Sequence, residues 1–324
     1  MPRCVDTPRV LVVMATYNGE RYLKEQIDSI LTQKGVKVSL LISDDCSQDG
    51  TVDVASEYAS RDSRVSIRMN ASNVGVALNF MSPVYEADTR GFDFLAFSDQ
   101  DDVWLPEKLI HAIRKIAEVE RSEDAVRFDD LGAPVLYCSD LQNTDEHLNH
   151  PKRELANLGF DPSKGTTTIL RNYYSGCTMV MNVSMVRLLQ ERPIGAFPRI
   201  HDVWCALVAQ FCGNFCFDSE SARILRRITG QNAEGALLRG GDVQSASIKR
   251  AFSCSEHSSL KTARLLLGAY SYRMSEESRL ILESFVSYKD SFGSRVKWSL
   301  RMDYRASGFV DTALMRLKLL LGRY

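Results

Sequence analysis

The chain is poor in the features that assign a protein quickly. It has only five histidines and eight cysteines in 324 residues, and no C-x-x-C pair. Cys212 and Cys216 lie nearest each other, with too few histidines around them for a zinc site. Scattered cysteines of this kind read as reduced, mostly buried thiols rather than as a disulfide framework. No apolar run approaches the roughly 20 residues that span a bilayer, and Met1-Pro2-Arg3-Cys4-Val5-Asp6 lacks the apolar core of a signal peptide. A cytoplasmic protein is the expectation. Neither G-x-G-x-x-G nor G-x-x-x-x-G-K-[ST] occurs, so neither a dinucleotide fold nor a P-loop is indicated. Net charge is also nearly absent, at −1, but it is unevenly spread. Residues 249–324 carry fourteen Lys/Arg against seven Asp/Glu, so the tail is basic and the body acidic.

What is present is an ordinary globular composition, 44% hydrophobic and 25% charged, in a chain long enough for one large domain or two smaller ones. Arg9-Val10-Leu11-Val12-Val13-Met14-Ala15 is a nearly continuous apolar run rich in β-branched residues, as a strand covered on both faces requires. After Thr16-Tyr17-Asn18-Gly19, the residues Tyr22, Leu23, Ile27, Ile30 and Leu31 recur at helical spacing. Val38-Ser39-Leu40-Leu41-Ile42 is a second strand, and Val65-Ser66-Ile67-Arg68 a third. Strand, helix, strand is the opening of a right-handed βαβ unit.

Two acidic clusters stand at strand ends. Asp44 and Asp45 follow the second strand, where they either accept a hydrogen bond from a ligand, such as the N3–H of a uracil or thymine ring, or cap a surface turn. Phe94-Leu95-Ala96-Phe97-Ser98 then runs into Asp99-Gln100-Asp101-Asp102. In open parallel sheets the ligand crevice lies outside the carboxyl ends of the strands. Asp99 and Asp101 there offer hard oxygens suited to Mg²⁺ or Mn²⁺ bridging a diphosphate. The competing reading is that Asp101 and Asp102 only open the next helix, with Pro106 at its first turn.

The motifs taken in order resemble the family 2 glycosyltransferases, inverting enzymes of GT-A fold that use nucleotide sugars. The likeness rests on residues 12–19, Ser43-Asp44-Asp45-Cys46-Ser47-Gln48-Asp49-Gly50-Thr51, Asn73-Val74-Gly75 and Ser98-Asp99-Gln100-Asp101-Asp102-Val103-Trp104, and it covers about residues 9–235. Within the family the chain is most similar to bacterial rhamnosyltransferase-type members that build surface polysaccharides. The resemblance implies a Rossmann-related, mostly parallel sheet flanked by helices. It implies a donor site of Thr16, Tyr17, Asn18, Asp44, Asp45, Asn73, Gly75, Asp99, Gln100 and Arg227, with Asp45 on the base. It places the metal, Mg²⁺ or Mn²⁺, on Asp99 and Asp101. Asn172-Tyr173-Tyr174-Ser175-Gly176-Cys177-Thr178-Met179 is similar to the family's acceptor-side segment, which gives Gly176, Cys177 and Thr178 to the acceptor together with Trp104, His201 and Trp204.

An inverting transfer needs a carboxylate to take the proton from the acceptor hydroxyl. In the resemblance Asp202 fills that role. Read locally, His201-Asp202 is equally a helix cap. The chain departs from the family at Arg226-Arg227-Ile228-Thr229-Gly230-Gln231-Asn232, where Thr229 stands in place of a His, and a Thr hydroxyl is a poor metal ligand. Arg226 and Arg227 are candidates to compensate by pairing with phosphate oxygens.

The expected organisation is a catalytic domain over residues 9–240 and a helical extension over 245–324. In the last 33 residues seven basic side chains and two acidic ones accompany Trp298, Phe309 and six Leu, the pattern of an interfacial helix on an anionic membrane. A subdomain packed on the core, or a homodimer contact, is the other reading. No nucleic-acid motif accompanies the basic stretch. The expected partners are a dTDP- or UDP-linked sugar, most simply rhamnose or another hexose, and a saccharide or lipid-linked acceptor. The reading from another class is a non-catalytic scaffold that keeps the nucleotide shell within a membrane-associated glycan assembly.

Overall fold

The computed structural model describes residues 7–155, 166–229, 258–301 and 309–324. The readings made at residues 1–6, at Gly230-Gln231-Asn232, and at 245–257 of the tail lie outside the described residues.

The apolar runs form one mixed sheet. Strands β1 (Arg9–Thr16), β2 (Lys37–Asp44), β3 (Val65–Met69) and β4 (Phe94–Ser98) pair in parallel in the order β3-β2-β1-β4. Side chains alternate across them as the pleat demands. Val12 and Met14 enter one core layer and Val13 the other, all fully buried. The joining helices are α1 (Glu20–Leu31), α2 (Thr51–Arg61) and α3 (Val76–Glu86). In α1 the buried residues Leu23, Gln26, Ile27 and Ile30 fall on a single face, as a 3.6-residue period requires.

Because β1 is flanked by β2 on one side and β4 on the other, the chain reverses its direction of travel across the sheet there. The register sets Thr16 beside Asp44 and Met14 beside Ser98. Both acidic turns and the segment after β1 therefore emerge together at the carboxyl edge, at the topological switch point where such sheets open a crevice.

Beyond β4 the sheet turns mixed. Val103–Trp104 forms a short strand β5 that pairs antiparallel to a later strand, so these residues do not open a helix. The helix α4 (Lys108–Arg121) starts only after Pro106. Strand β6 (Val135–Thr144) is longer than its apolar core, and Lys152–Arg153 (β7) pairs with it within the polar, aperiodic stretch Asn143–Ser163 that the sequence reads as a loop. A four-residue helix α5 (Thr167–Leu170) and the 3₁₀ turn Gly176–Thr178 lead to β8 (Val180–Asn182), which sits between β4 and β6. Helices α6 (Val183–Glu191) and α7 (His201–Cys212) follow, then the long strand β9 (Asn214–Arg227).

The tail contributes α8 (Ser258–Tyr270), α9 (Glu276–Val286), α10 (Phe292–Leu300) and α11 (Phe309–Leu320). Leu266, Tyr270, Phe285, Trp298 and Leu319 are buried in the same apolar layer as Trp204 and Phe211 of α7. The Tyr270 hydroxyl donates to the Leu188 carbonyl at 3.0 Å, and the Trp298 indole N–H to the Ser284 carbonyl at 3.0 Å. Each buried Leu or Phe contributes about 1.5–3 kcal/mol relative to exposure. An exposed ion pair such as Arg279–Glu283 is worth about 0–1 kcal/mol, so packing rather than charge fastens these helices. No described helix is long and apolar enough to cross a membrane.

Candidate functional site

The crevice is built first by hydrogen bonds among its own walls. Thr16 ends β1 and donates its hydroxyl to Asp44 Oδ1 at 2.9 Å. Asp44 also accepts from the Ser47 hydroxyl at 2.5 Å and the Ser47 N–H at 2.9 Å. Its carboxylate thus closes the turn after β2 from within. Asp45 draws the neighbouring loop over the crevice, since it accepts from the backbone N–H groups of Val74 and Gly75 at 2.8 Å each and from Asn70 Nδ2 at 3.0 Å. Gly75 sits at φ +81°, a left-handed conformation that favours glycine. Asn73 donates its side-chain amide to the Asp45 carbonyl at 3.1 Å.

The residues after β1 are fixed from two sides. Asn18, at φ +50°, donates its N–H to Ser47 Oγ at 2.9 Å and accepts from the Gln48 N–H at 2.8 Å. Gln100 reaches across from the acid turn: its Oε1 accepts from the Tyr17 N–H at 2.9 Å and its Nε2 donates to the Tyr17 carbonyl at 3.0 Å. A methyl group on Gly19 would stand 2.2 Å from that same Oε1, so the pairing needs glycine there. Tyr17 itself is half exposed beside the crevice.

The acid turn holds three carboxylates in different settings. Asp99 and Asp101 are partly exposed, whereas Asp102 is completely buried. Burial, reinforced by the charges of Asp99 and Asp101, raises the Asp102 carboxyl well above the usual range. Lys108 lies beneath, its Nζ 3.5 Å from the centre of the Trp104 ring, and burial pushes it down to about 7. Arg227 is also buried. It donates to the Asp101 carbonyl at 2.8 Å and to the Glu146 carbonyl at 3.2 Å, and it pairs with Glu25. Arg226 binds Asn143 Oδ1 at 2.8 Å, Ser175 Oγ at 3.1 Å and Glu154 at 2.6 Å. Arg227 thus fastens the backbone of the acid turn and Arg226 the segment at Ser175, tasks the sequence does not reveal.

The start of α7 packs against the turn at Gly176 and against Phe80 and Phe97. The imidazole of His201 stacks on Phe80 with ring centres 4.3 Å apart and meets Phe97 edge-on at 5.3 Å. Neither ring nitrogen has a hydrogen-bond partner among the described residues, and burial lowers it to about 3, so the ring is neutral. A Cβ on Gly176 would lie 2.7 Å from its Nε2, which makes Gly176 the residue that lets this turn approach α7. Asp202 is buried, and burial pushes it up to about 7 with the Asp99 charge adding to the rise. The Val203 N–H, Arg199 and Asn172 act in the opposite direction. Asp99 and Asp202 are thus near enough to feel each other.

The expected acceptor-side residues divide in two. His201, Gly176 and Asp202 meet at one place. Trp104 and Trp204 instead belong to the two core layers, Trp204 with its ring centre 6.1 Å from that of Tyr270. Cys177 and Thr178 are fully buried, the Thr178 hydroxyl donating to the Ser175 carbonyl at 2.8 Å. Two participants escape a reading by motif. Asp102, rather than Asp101, joins Asp99 in the one group of converging ligand atoms among the described residues. Lys108 could have been found by its place on the apolar stripe Leu109, Ala112, Ile113 and Ile116 of α4.

A family model described as "Glycosyl transferase family 2" matches residues 11–180. Over 102 residues the chain is 41% identical to the dTDP-rhamnosyl transferase RfbG of Shigella flexneri, covering 31% of this chain and 35% of that protein. Over 174 residues it is 33% identical to the putative teichuronic acid biosynthesis glycosyltransferase TuaG of Bacillus subtilis (strain 168), covering 54% and 62%. The chain thus spans between about a third and three fifths of the length of these relatives. Among solved structures it is similar to S. aureus TarS 1-349 in complex with UDP-GlcNAc, with TM-score 0.56, 15% identity, and coverage of 91% of this chain and 76% of that one. That likeness establishes a common fold, including the mixed sheet flanked by helices and the helices that follow it.

The pairing of Gln100 with Tyr17 yields a direct test. Two hydrogen bonds, each worth about 0.5–1.5 kcal/mol net, are lost if Gly19→Ala displaces the amide or if Gln100→Ala removes it. Each variant is expected to lose about 1–3 kcal/mol in urea unfolding, and the double variant no more than the larger single loss. Additive losses would show that the two residues act separately.

Proposed function

The chain belongs to glycosyl transferase family 2, and from that premise we propose that it transfers a hexose, rhamnose first among the candidates, from a nucleoside-diphosphate donor to a saccharide acceptor with inversion at the anomeric carbon. What supports this reading is Asp202: a buried carboxyl at the start of α7, within electrostatic range of Asp99, which burial pushes up to about 7. A general base works best with its pKa near the working pH, which a carboxyl raised in this way approaches. It takes the proton of the acceptor hydroxyl as that oxygen attacks the anomeric carbon from the side opposite the diphosphate. His201, neutral and packed between Phe80 and Phe97, keeps water from that side.

The donor lies along the walls already described. Asp45 Oδ2 accepts a single hydrogen bond, from the Gly75 N–H, and so retains capacity for the N3–H of uracil or thymine. Thr16, Tyr17, Asn18, Asn73 and Gln100 shape the wall, with Asp44 and Arg227 stiffening it from behind. The partly exposed carboxylates of Asp99 and Asp101 offer the oxygen ligands that Mg²⁺ or Mn²⁺ takes. A divalent cation bound there supplies electrostatic stabilisation of the charge that builds on the departing diphosphate. The name of RfbG supports a dTDP-linked rhamnose and the UDP-GlcNAc complex of TarS a UDP-linked sugar. The name of TuaG supports a place in surface-polymer synthesis. The catalytic part is the expected domain over residues 9–240, and the helices from Ser258 on are its buttress.

If Asp202 is the base, transfer is carried by its deprotonated form. The value of kcat/KM is expected to rise about tenfold per pH unit up to about 7 and then level off. Asp202→Asn should lower turnover by about 10²–10⁴-fold and leave donor affinity unchanged. An equal loss of donor affinity would move Asp202 to the diphosphate, and nucleotide binding without any Asp202-dependent turnover would support the scaffold instead.

The tail leaves Phe292, Leu300, Phe309, Val310 and Leu321 exposed, Phe309 to 90%, alongside Arg295, Lys297, Arg301 and Arg323. This surface fits the boundary of an anionic bilayer, where each Lys or Arg is worth about 1 kcal/mol and salt weakens the attraction. It supports a lipid-linked acceptor at the inner face of the cell membrane. Truncation near Ser291 is a poor test, because Trp298, Met315 and Leu319 are part of the core. Surface substitution is a better one: the protein should sediment with phosphatidylglycerol vesicles at low salt, leave them at high salt, and lose the binding with Phe292→Ser, Leu300→Ser and Leu321→Ser combined. Dimerisation without vesicle binding would make the same face a homodimer contact.

A further inference from the structure

Beneath the acid turn three ligand atoms converge from two separate segments. A carboxylate oxygen of Asp99, one of Asp102 and the Cys177 sulfur all lie within 4.8 Å of one another. The aspartates come from the turn after β4, and Cys177 from the 3₁₀ turn before β8. The burial of Asp102 sets this group apart from an ordinary acid pair. Its side chain is fully enclosed, and apart from the adjoining Cys177 thiol neither oxygen has a hydrogen-bond partner among the described residues. Buried polar groups are otherwise hydrogen-bonded, paired or bound to metal, because an enclosed carboxyl without a partner costs several kcal/mol.

We propose that Asp99, Asp102 and Cys177 form a site for a thiophilic divalent cation, of which Zn²⁺ is the natural example. The proposal goes beyond sugar transfer and touches that reading only in that Asp99 serves both. A tetrahedral site with bonds of about 2.0–2.3 Å needs ligand atoms about 3.3–3.8 Å apart, so closing from the observed limit takes a movement of about 1 Å. Three protein ligands leave a fourth position for water. The thiolate selects Zn²⁺ or Cd²⁺ over Mg²⁺, and binding sends the thiol proton and the proton of the raised Asp102 carboxyl to solvent. Lys108 lies within electrostatic range of all three ligands. Its ammonium and the divalent cation together balance two carboxylates and one thiolate, so the enclosed cluster is neutral when loaded.

The test uses the full chain stripped of metal and titrated with CdCl₂, following the thiolate-to-Cd²⁺ charge-transfer band in the ultraviolet. The expected band saturates at one Cd²⁺ per chain, is displaced by Zn²⁺ but not by a large excess of Mg²⁺, and is missing from Cys177→Ala. Asp102→Asn keeps the thiol and should weaken Cd²⁺ by about tenfold or more, which decides the matter if Cys177→Ala does not fold. No band in the wild-type protein, a band of equal size in Cys177→Ala, or unchanged Cd²⁺ affinity in Asp102→Asn overturns the proposal. Mn²⁺-dependent nucleotide binding is measured on the same samples. A missing band with nucleotide binding intact removes only this site, and a band in a protein that binds no nucleotide removes only the transferase reading.

Discussion

Three carboxylates within four residues repel one another, and the structure around the crevice depends on how that repulsion is contained. Two like charges 4 Å apart at an effective dielectric of 20 cost about 4 kcal/mol, comparable to the whole margin of stability of many domains. The protein answers by separating the three. Asp102 is buried and raised, so it keeps its proton more readily, with Lys108 beneath it. Arg227 grips the backbone of Asp101, and Gln100 ties the middle of the turn to Tyr17. The Ser98 hydroxyl, held by Gln26 of α1 at 2.7 Å, donates to the Asp99 carbonyl at 2.9 Å. What remains partly exposed at the turn is the pair Asp99 and Asp101.

The same field reaches the opposite wall. The Asp99 charge adds to burial in raising Asp202, so the acid turn and the proposed base are tuned together. The apolar surroundings of α7 supply the rest: Phe80 and Phe97 enclose His201, and the tail helices close the far side of the same layer through Tyr270.

Much of this was legible in the sequence wherever period or abrupt change of residue type carried the signal. The four parallel strands, their helices and the acidic turns at strand ends follow from apolar runs that stop at carboxylates. The short strands β5, β7 and β8 did not, because two or three residues hold no period and their pairing is set by partners far along the chain. The roles of Gln100 and Arg227 were hidden for the same reason, since their partners lie 83 and 126 residues away. The resemblance gives Trp104 and Trp204 to the acceptor, whereas the structure buries them in the two core layers. In the tail, periodicity revealed apolar faces but not what covered them; Trp298 faces Phe285 at 4.9 Å, while Phe309 is exposed.

The central claim is that the turn after β4 binds a pyrimidine nucleoside diphosphate through a divalent cation. Calorimetric titration of UDP and dTDP into the protein, with and without Mn²⁺, addresses it most directly. The account predicts binding that requires Mn²⁺ and is lost in Asp101→Asn while the melting temperature is unchanged. Equal affinity without metal or in Asp101→Asn, or failure of every pyrimidine nucleotide to bind, would contradict it.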